Sequence, residues 1–149
     1  MTARWLAASL HLLALGIGLG AVWTRGRALR LTPSPETLGR VFRADSCWGL
    51  AAFLWITTGL WRLLGGLEKG TGYYLQNRFF LAKMGLLGLI LLLEISPMTT
   101  LVGWRRIVSR GAMPDTSRAM KLAWISYLQA GLVLLMVFAA TAMARGMGM

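Results

Sequence analysis

The chain has 149 residues, enough for one domain, and 56% of them are apolar. Only 14% are charged, against about 25% in a soluble domain of ordinary composition, so lipid is the expected solvent. Sixteen Lys and Arg stand against five acids, for a net charge of +11, yet the sequence has no RNP-type aromatic pattern, zinc finger or basic recognition helix, and nucleic acid is not an expected partner.

The first apolar run is Trp5 to Trp23. It carries His11 and is followed at once by Arg25, Arg27 and Arg30. That pattern fits a span with a cytoplasmic anchor better than a cleaved signal peptide. Ser34-Pro35-Glu36 then reads as a helix start. Leu38, Val41 and Phe42 recur on one face with Arg40 and Arg43 on the other, which predicts a short interfacial helix on the membrane surface.

The second run is Ser46 to Leu64. Cys47 is the sole cysteine, so neither an internal disulfide nor a thiolate cluster is possible. Trp48, Trp55 and Arg62 recur every seven residues and share a face. A glycine-rich loop with Tyr73 and Tyr74 follows. Its Gly66-Leu-Glu-Lys-Gly70 stretch lacks the Gly-Lys-Ser/Thr ending of a phosphate loop.

The third run, Phe79 to Ile95, closes at Pro97 and contains Lys83 and Glu94. A basic segment follows with Arg105, Arg106, Arg110, Arg118 and Lys121, and the fourth run is Leu122 to Ala144. Each run has roughly the 17–25 residues that span the hydrocarbon as a helix. The expected fold is an all-α membrane protein, a single domain over 1–149, with four transmembrane helices at 5–23, 46–64, 79–97 and 122–144. The two arginine-dense segments should face the cytoplasm, which places both termini outside. Trp5, Trp23, Trp61, Trp104 and Trp124 lie near helix ends, where aromatic belts form.

Ionisable groups at membrane depth cost about 2.5–3.5 kcal/mol on insertion scales and are functional candidates. His11 and Lys83 lie well inside their runs, and Glu94, Asp45 and Arg62 lie nearer the ends. The first and third helices run parallel, so His11 and Lys83 are about 9 Å and 6 Å down from Trp5 and Phe79, at one depth in the outer leaflet. Neighbouring helices would bring both into one pocket. Gly18 shares the His11 face, with Ala14 beside it, and small residues let a helix or a flat ligand come close. Gly16 and Gly20 form a GxxxG pair on the other side. Each residue also has a plainer role: Lys83 can snorkel, His11 can bond across helices, Glu94 can sit at the interface and the Trp stripe can pack.

Leu10-His-Leu-Leu-Ala-Leu-Gly16, Phe42-Arg-Ala-Asp45 with Trp48-Gly49, Gly59-Leu-Trp-Arg62, Gly66-Leu-Glu-Lys-Gly70 with Tyr73-Tyr74, and Phe80-Leu-Ala-Lys83 resemble domain-of-unknown-function family 2214. That family consists of small bacterial membrane proteins, which implies the inner membrane as the location. More distantly, the layout is similar to the CopD-like group, with its copper-resistance proteins and HemJ-type protoporphyrinogen oxidases. HemJ-type enzymes have a histidine early in the first helix and a lysine early in the third, matched here by His11 and Lys83. They carry a further histidine where this chain has Glu94.

The resemblance implies a haem b or other tetrapyrrole cofactor and a redox role. His11 would be the axial ligand, and Lys83 and Arg62 would hold carboxylates. Trp55 and the Gly18 surface would contact the macrocycle, and Glu94 and Asp45 would relay protons. Two other readings stay open. One is a non-enzymatic accessory subunit, in a homo-oligomer or a larger membrane complex. The other is a small transporter or metal-import component, by analogy with the copper-resistance proteins.

Overall fold

A computed structural model describes residues 2–65, 72 and 76–147. Most of the glycine-rich loop, with Gly66 to Gly70, Tyr73 and Tyr74, lies outside the described residues. Among the described residues, four helices are long and apolar enough to cross a membrane. They are α1 (Thr2–Leu29), α2 (Pro35–Leu64), α3 (Arg78–Val108) and α4 (Ala119–Ala144). The protein is an all-α, four-helix membrane bundle.

Every helix outruns its apolar stretch, and the expectations for the surface helix, for Pro97 and for Trp104 change as a result. The surface helix does not exist as a separate element, because its residues form the first turns of α2. Ser34 caps that helix: its hydroxyl accepts from the Thr37 amide, while the Thr37 hydroxyl accepts from the Ser34 amide. No breaker separates Phe42 from Ser46, and Leu38 and Val41 are buried in the bundle rather than in lipid headgroups.

Pro97 does not end the third helix. It is buried within α3, which continues for eleven residues to Val108. Proline inside a membrane helix is tolerated where neighbouring groups bond the freed backbone. The carbonyl that Pro97 frees is that of Leu93, four residues back, while the Thr99 hydroxyl donates to the Ile95 and Ser96 carbonyls just beyond. Trp104 is also no belt residue, since it is buried. Trp5, Trp23, Trp61 and Trp124 are at least half exposed or close to it, as a belt requires.

The condition for a shared pocket, adjacency of the first and third helices, is decided by the packing. α1 packs along α2 and also against α4, and α4 packs against α3. α2 and α3 touch only sparsely. α1 and α3 are therefore diagonal partners, not adjacent ones. Asn77 caps α3 by accepting from the Phe79 and Phe80 amides, and its Nδ2 donates to the Met147 carbonyl. That bond ties the start of α3 to the end of the chain at one end of the bundle.

Two apolar cores fill the interior. One contains Trp48, Trp55, Ile90, Val133 and Met136. The other, toward the arginine-rich end, contains Leu38, Val41, Leu101, Trp104 and Leu122.

Candidate functional site

A polar layer lies between the two cores, and all four helices contribute to it. The inward face of α1 reads Ala14, Gly18, Ala21, Val22, Arg25, Ala28 and Leu29 at three- and four-residue spacing. Arg25 interrupts an otherwise small and apolar stripe. On α3 the inward positions are Ile90, Pro97, Leu101 and Trp104, with Glu94 one turn after Ile90. On α4 they include Leu122, Ser126, Gln129 and Val133.

Arg25 is fully buried. Its Nε donates to Ser126 Oγ at 3.0 Å. Its Nη1 donates to Asp45 Oδ1 at 2.9 Å and Glu94 Oε1 at 2.7 Å. Its Nη2 donates to Glu94 Oε2 at 3.0 Å and Gln129 Oε1 at 2.7 Å. A guanidinium has five N–H donors, and each has a partner here. Gln129 Nε2 donates onward to Glu94 Oε2 and the Ile90 carbonyl. Arg105 completes the layer from α3: its Nη2 reaches Asp45 Oδ2 at 3.0 Å, the Phe42 carbonyl at 2.8 Å and Ser46 Oγ at 3.1 Å. Its guanidinium also lies over the Phe42 ring, 5.0 Å from the centroid.

Two arginines thus face two carboxylates, and every carboxylate oxygen accepts at least one N–H. The sequence expectation placed Arg25 and Arg105 in basic loops. Both instead belong to helices, and Arg25 is in the core. Asp45 and Glu94 were expected near helix ends as proton-relay candidates, with no contact between them foreseen; Arg25 bonds both. The arrangement is a clamp that fixes the rotation of all four helices. It presents no vacant donor on Arg25 to a substrate. The signal for it was legible as the α1 stripe running past Trp23 to position 25, but a basic residue beyond an apolar run reads first as an anchor.

His11 sits away from this layer, between α1 and α2. Its Nδ1 lies 3.0 Å from both the Trp55 carbonyl and Thr58 Oγ1. The Thr58 hydroxyl donates back to the Leu54 carbonyl at 2.6 Å. With a hydrogen on Nδ1 the Trp55 carbonyl accepts it, and without one Nδ1 accepts from the Thr58 hydroxyl, so the ring's tautomer decides which bond forms. Trp55 packs beside the imidazole, ring centroids 5.7 Å apart. A Cβ at Gly59 would stand 3.0 Å from His11 Cε1, so the absent side chain makes room for the ring. Sequence reasoning missed Thr58 and Gly59, because neither is unusual in a membrane helix.

Lys83 Nζ lies 5.8 Å from the Phe80 ring centroid on its own helix, and among the described contacts none links it to His11. Arg62 lies half-buried near the end of α2. The Gly18 surface is covered by α2: a Cβ there would be 3.4 Å from Ala51 Cβ and Trp48 Cζ3. The space enclosed by Ala14, Gly18, Trp48, Trp55 and Val133 is about 10 Å³, whereas ligand pockets are about 300–1,000 Å³. On this face α2 occupies the place that the tetrapyrrole expectation gave to the macrocycle. Trp55 Nε1 beside it is buried with no hydrogen-bond partner. Among the described residues no group of three or more His, Cys, Asp or Glu could hold a metal ion.

The larger opening is elsewhere. A groove of about 620 Å³ runs between α1 and α2 at the arginine-rich end, with Arg27, Arg40 and Arg43 at its rim. Cys47, exposed, lines its inner part.

No curated protein and no solved structure matches the chain. A family described as a predicted membrane protein, DUF2214, matches residues 3–148. With nearly its whole length covered, the chain belongs to the DUF2214 family of membrane proteins.

Proposed function

We propose that this multi-pass membrane protein is a non-enzymatic subunit of a larger assembly in the bacterial inner membrane. The burial of α3 carries the reading. Only 11% of its apolar span is buried, against 50% for α4. α3 is the longest helix, yet it packs closely against α4 alone. Its outer surface includes Leu81, Gly85, Gly88 and Leu92, and a Cβ at either glycine would meet nothing within 4 Å. In lipid, helices associate by close van der Waals packing, and small residues on an open face permit it.

A saturated polar core fits the same reading. The Arg25 layer holds the bundle rigid and leaves the outside to do the work. The test is the mass of the particle in native nanodiscs, measured for wild type and for Gly85→Leu with Gly88→Leu. A particle holding a second copy or discrete partner subunits, lost in the variant, is expected. A wild-type particle holding one 16.3 kDa chain alone would overturn it.

A second reading, a redox protein with haem b or another tetrapyrrole, draws on His11. Ligating histidines usually donate their other ring N–H to a carbonyl, and the Trp55 carbonyl stands 3.0 Å from His11 Nδ1, placed to accept one. Trp55 Nε1, buried and unpartnered, is a further group that a ligand would satisfy. This reading requires α2 to shift off the Gly18 face. A pyridine haemochrome spectrum of protein purified from its own membrane tests it, and absence of haem from the wild type sinks it.

A further inference from the structure

We propose that the groove between α1 and α2 is a binding site for an anionic phospholipid of the arginine-side leaflet. Its walls have the two-part chemistry of such a lipid. On α1 the groove residues Gly20, Thr24 and Arg27 follow one another at four- and three-residue steps, and on α2 Arg40, Ala44 and Cys47 do the same. α1 and α2 are antiparallel, so both arginine ends of these stripes fall at the rim and both small-residue ends lie deeper. From Arg27 to Gly20 is about 10 Å along the helix.

The inner wall is smooth and apolar. A Cβ on Gly20 would meet nothing within 4 Å, and the Thr24 hydroxyl is turned into its own helix, donating to the Gly20 carbonyl at 2.7 Å. An acyl chain can lie along it. The rim carries three guanidinium groups against one carboxylate: Arg40 Nη2 bonds Glu36 Oε1 at 2.6 Å, both side chains being largely exposed. Arg27 and Arg43 have no carboxylate partner among the described residues. Bidentate donors at a headgroup level match a phosphodiester, and basic pockets between membrane helices on this side bind anionic headgroups. The volume, about 620 Å³, is in the range of small-molecule sites.

The test is native mass spectrometry of the full chain released from nanodiscs that contain phosphatidylglycerol and phosphatidylcholine in equal amounts. Wild type should retain phosphatidylglycerol preferentially. Arg27→Gln with Arg43→Gln should lower that retention by up to about twenty-fivefold, since each surface arginine contributes roughly a fivefold factor. Arg110→Gln, an exposed arginine outside the groove, should retain it. Equal retention of the two lipids by wild type, or an equal loss in Arg110→Gln, would overturn the proposal. Cys47 gives a second readout, because it lines the groove and is the sole cysteine. Phosphatidylglycerol should slow its maleimide labelling relative to phosphatidylcholine. If inorganic phosphate slows it equally, the groove is a free-anion site and the lipid proposal fails. Far-ultraviolet circular dichroism confirms that each variant remains helical.

Discussion

Arg25 and Glu94 lie 69 positions apart and meet as a bidentate pair, Nη1 to Oε1 at 2.7 Å and Nη2 to Oε2 at 3.0 Å. The pair spans the diagonal of the bundle, from α1 to α3, two helices that otherwise pack through α4. Parallel N–H bonds to both carboxylate oxygens fix angle as well as distance.

Removing the arginine alone leaves Glu94 without its cation and Asp45 with Arg105 alone, two carboxylates side by side in a mostly buried layer. Breaking a buried pair from one side costs about 3–5 kcal/mol. Arg25→Gln should therefore lower stability by about that amount, read from unfolding in a fixed detergent by circular dichroism. Arg25→Lys should recover only part of the loss, because an ammonium has three donors where the site uses five.

Removing both partners should cost less than the sum of the single losses. Arg25→Met with Glu94→Gln takes away one positive and one negative charge together, and such replacements are often close to neutral. The double-mutant cycle should give a coupling of at least about 1 kcal/mol. Additivity of the two losses would show that the pair does not act as a unit.

Much of the fold was readable because lipid imposes a simple rule. A run of apolar residues in hydrocarbon must close its own backbone bonds, and only a helix does so within one segment. Four runs therefore gave four helices. The ends were misjudged because length in lipid is not set by apolarity alone: Arg25, Arg40 and Arg105 continue their helices by pairing or by reaching water. The site was harder. Periodicity put His11 and Gly18 on one face, and that face is real, but periodicity carries no information about which helix meets it. It is α2, not α3. Depth alone cannot assign neighbours in a bundle, and the Arg25 layer depends on them.

The contact between His11 and Gly59 gives a second cycle. Gly59→Ala would place a Cβ 3.0 Å from His11 Cε1, a tight approach that pushes the ring off its Trp55 and Thr58 bonds. Overpacking of this kind costs about 1–3 kcal/mol. His11→Ala alone removes the ring's polar contacts to Trp55 and Thr58, at about 1 kcal/mol for each bond lost. In the His11→Ala background the Gly59→Ala clash has no partner, so its cost should largely vanish. Thermal unfolding of the four proteins in one detergent measures this.

Asp115 lies in the turn between α3 and α4, outside the membrane spans. Its carboxylate accepts from the Ser117 amide at 2.9 Å and the Ser117 hydroxyl at 3.0 Å. The backbone bond first, then the hydroxyl, lowers its pKa below the ordinary 3.8. A carboxyl group whose pKa is lower folded than unfolded stabilises the fold above the unfolded value, and that contribution fades as pH falls through the folded value. The Ser117 amide should therefore stay protected at neutral pH and lose protection only in acid, below pH 3.8. An NMR titration of the Asp115 carboxyl carbon with the Ser117 amide shift checks it. A midpoint at or above 3.8 would contradict the assignment.

Gly26 and Gly16 share a helix and a residue type but should respond oppositely to alanine. A Cβ at Gly26 would lie 2.9 Å from Tyr127 Cε1 and 3.1 Å from Cδ1. Tyr127 cannot easily retreat, because Trp23 and Trp124 flank its ring at 4.9 and 6.2 Å. Gly26→Ala should therefore separate α1 from α4 near the Arg25 layer and destabilise by about 1–3 kcal/mol. Nothing lies within 4 Å of a Cβ at Gly16, so Gly16→Ala should be neutral or stabilising by up to about 1 kcal/mol through helix propensity. Combining Gly26→Ala with Tyr127→Ala should remove the clash. If Gly26→Ala costs as little as Gly16→Ala, the close approach of α1 to Tyr127 is not a feature of the folded protein.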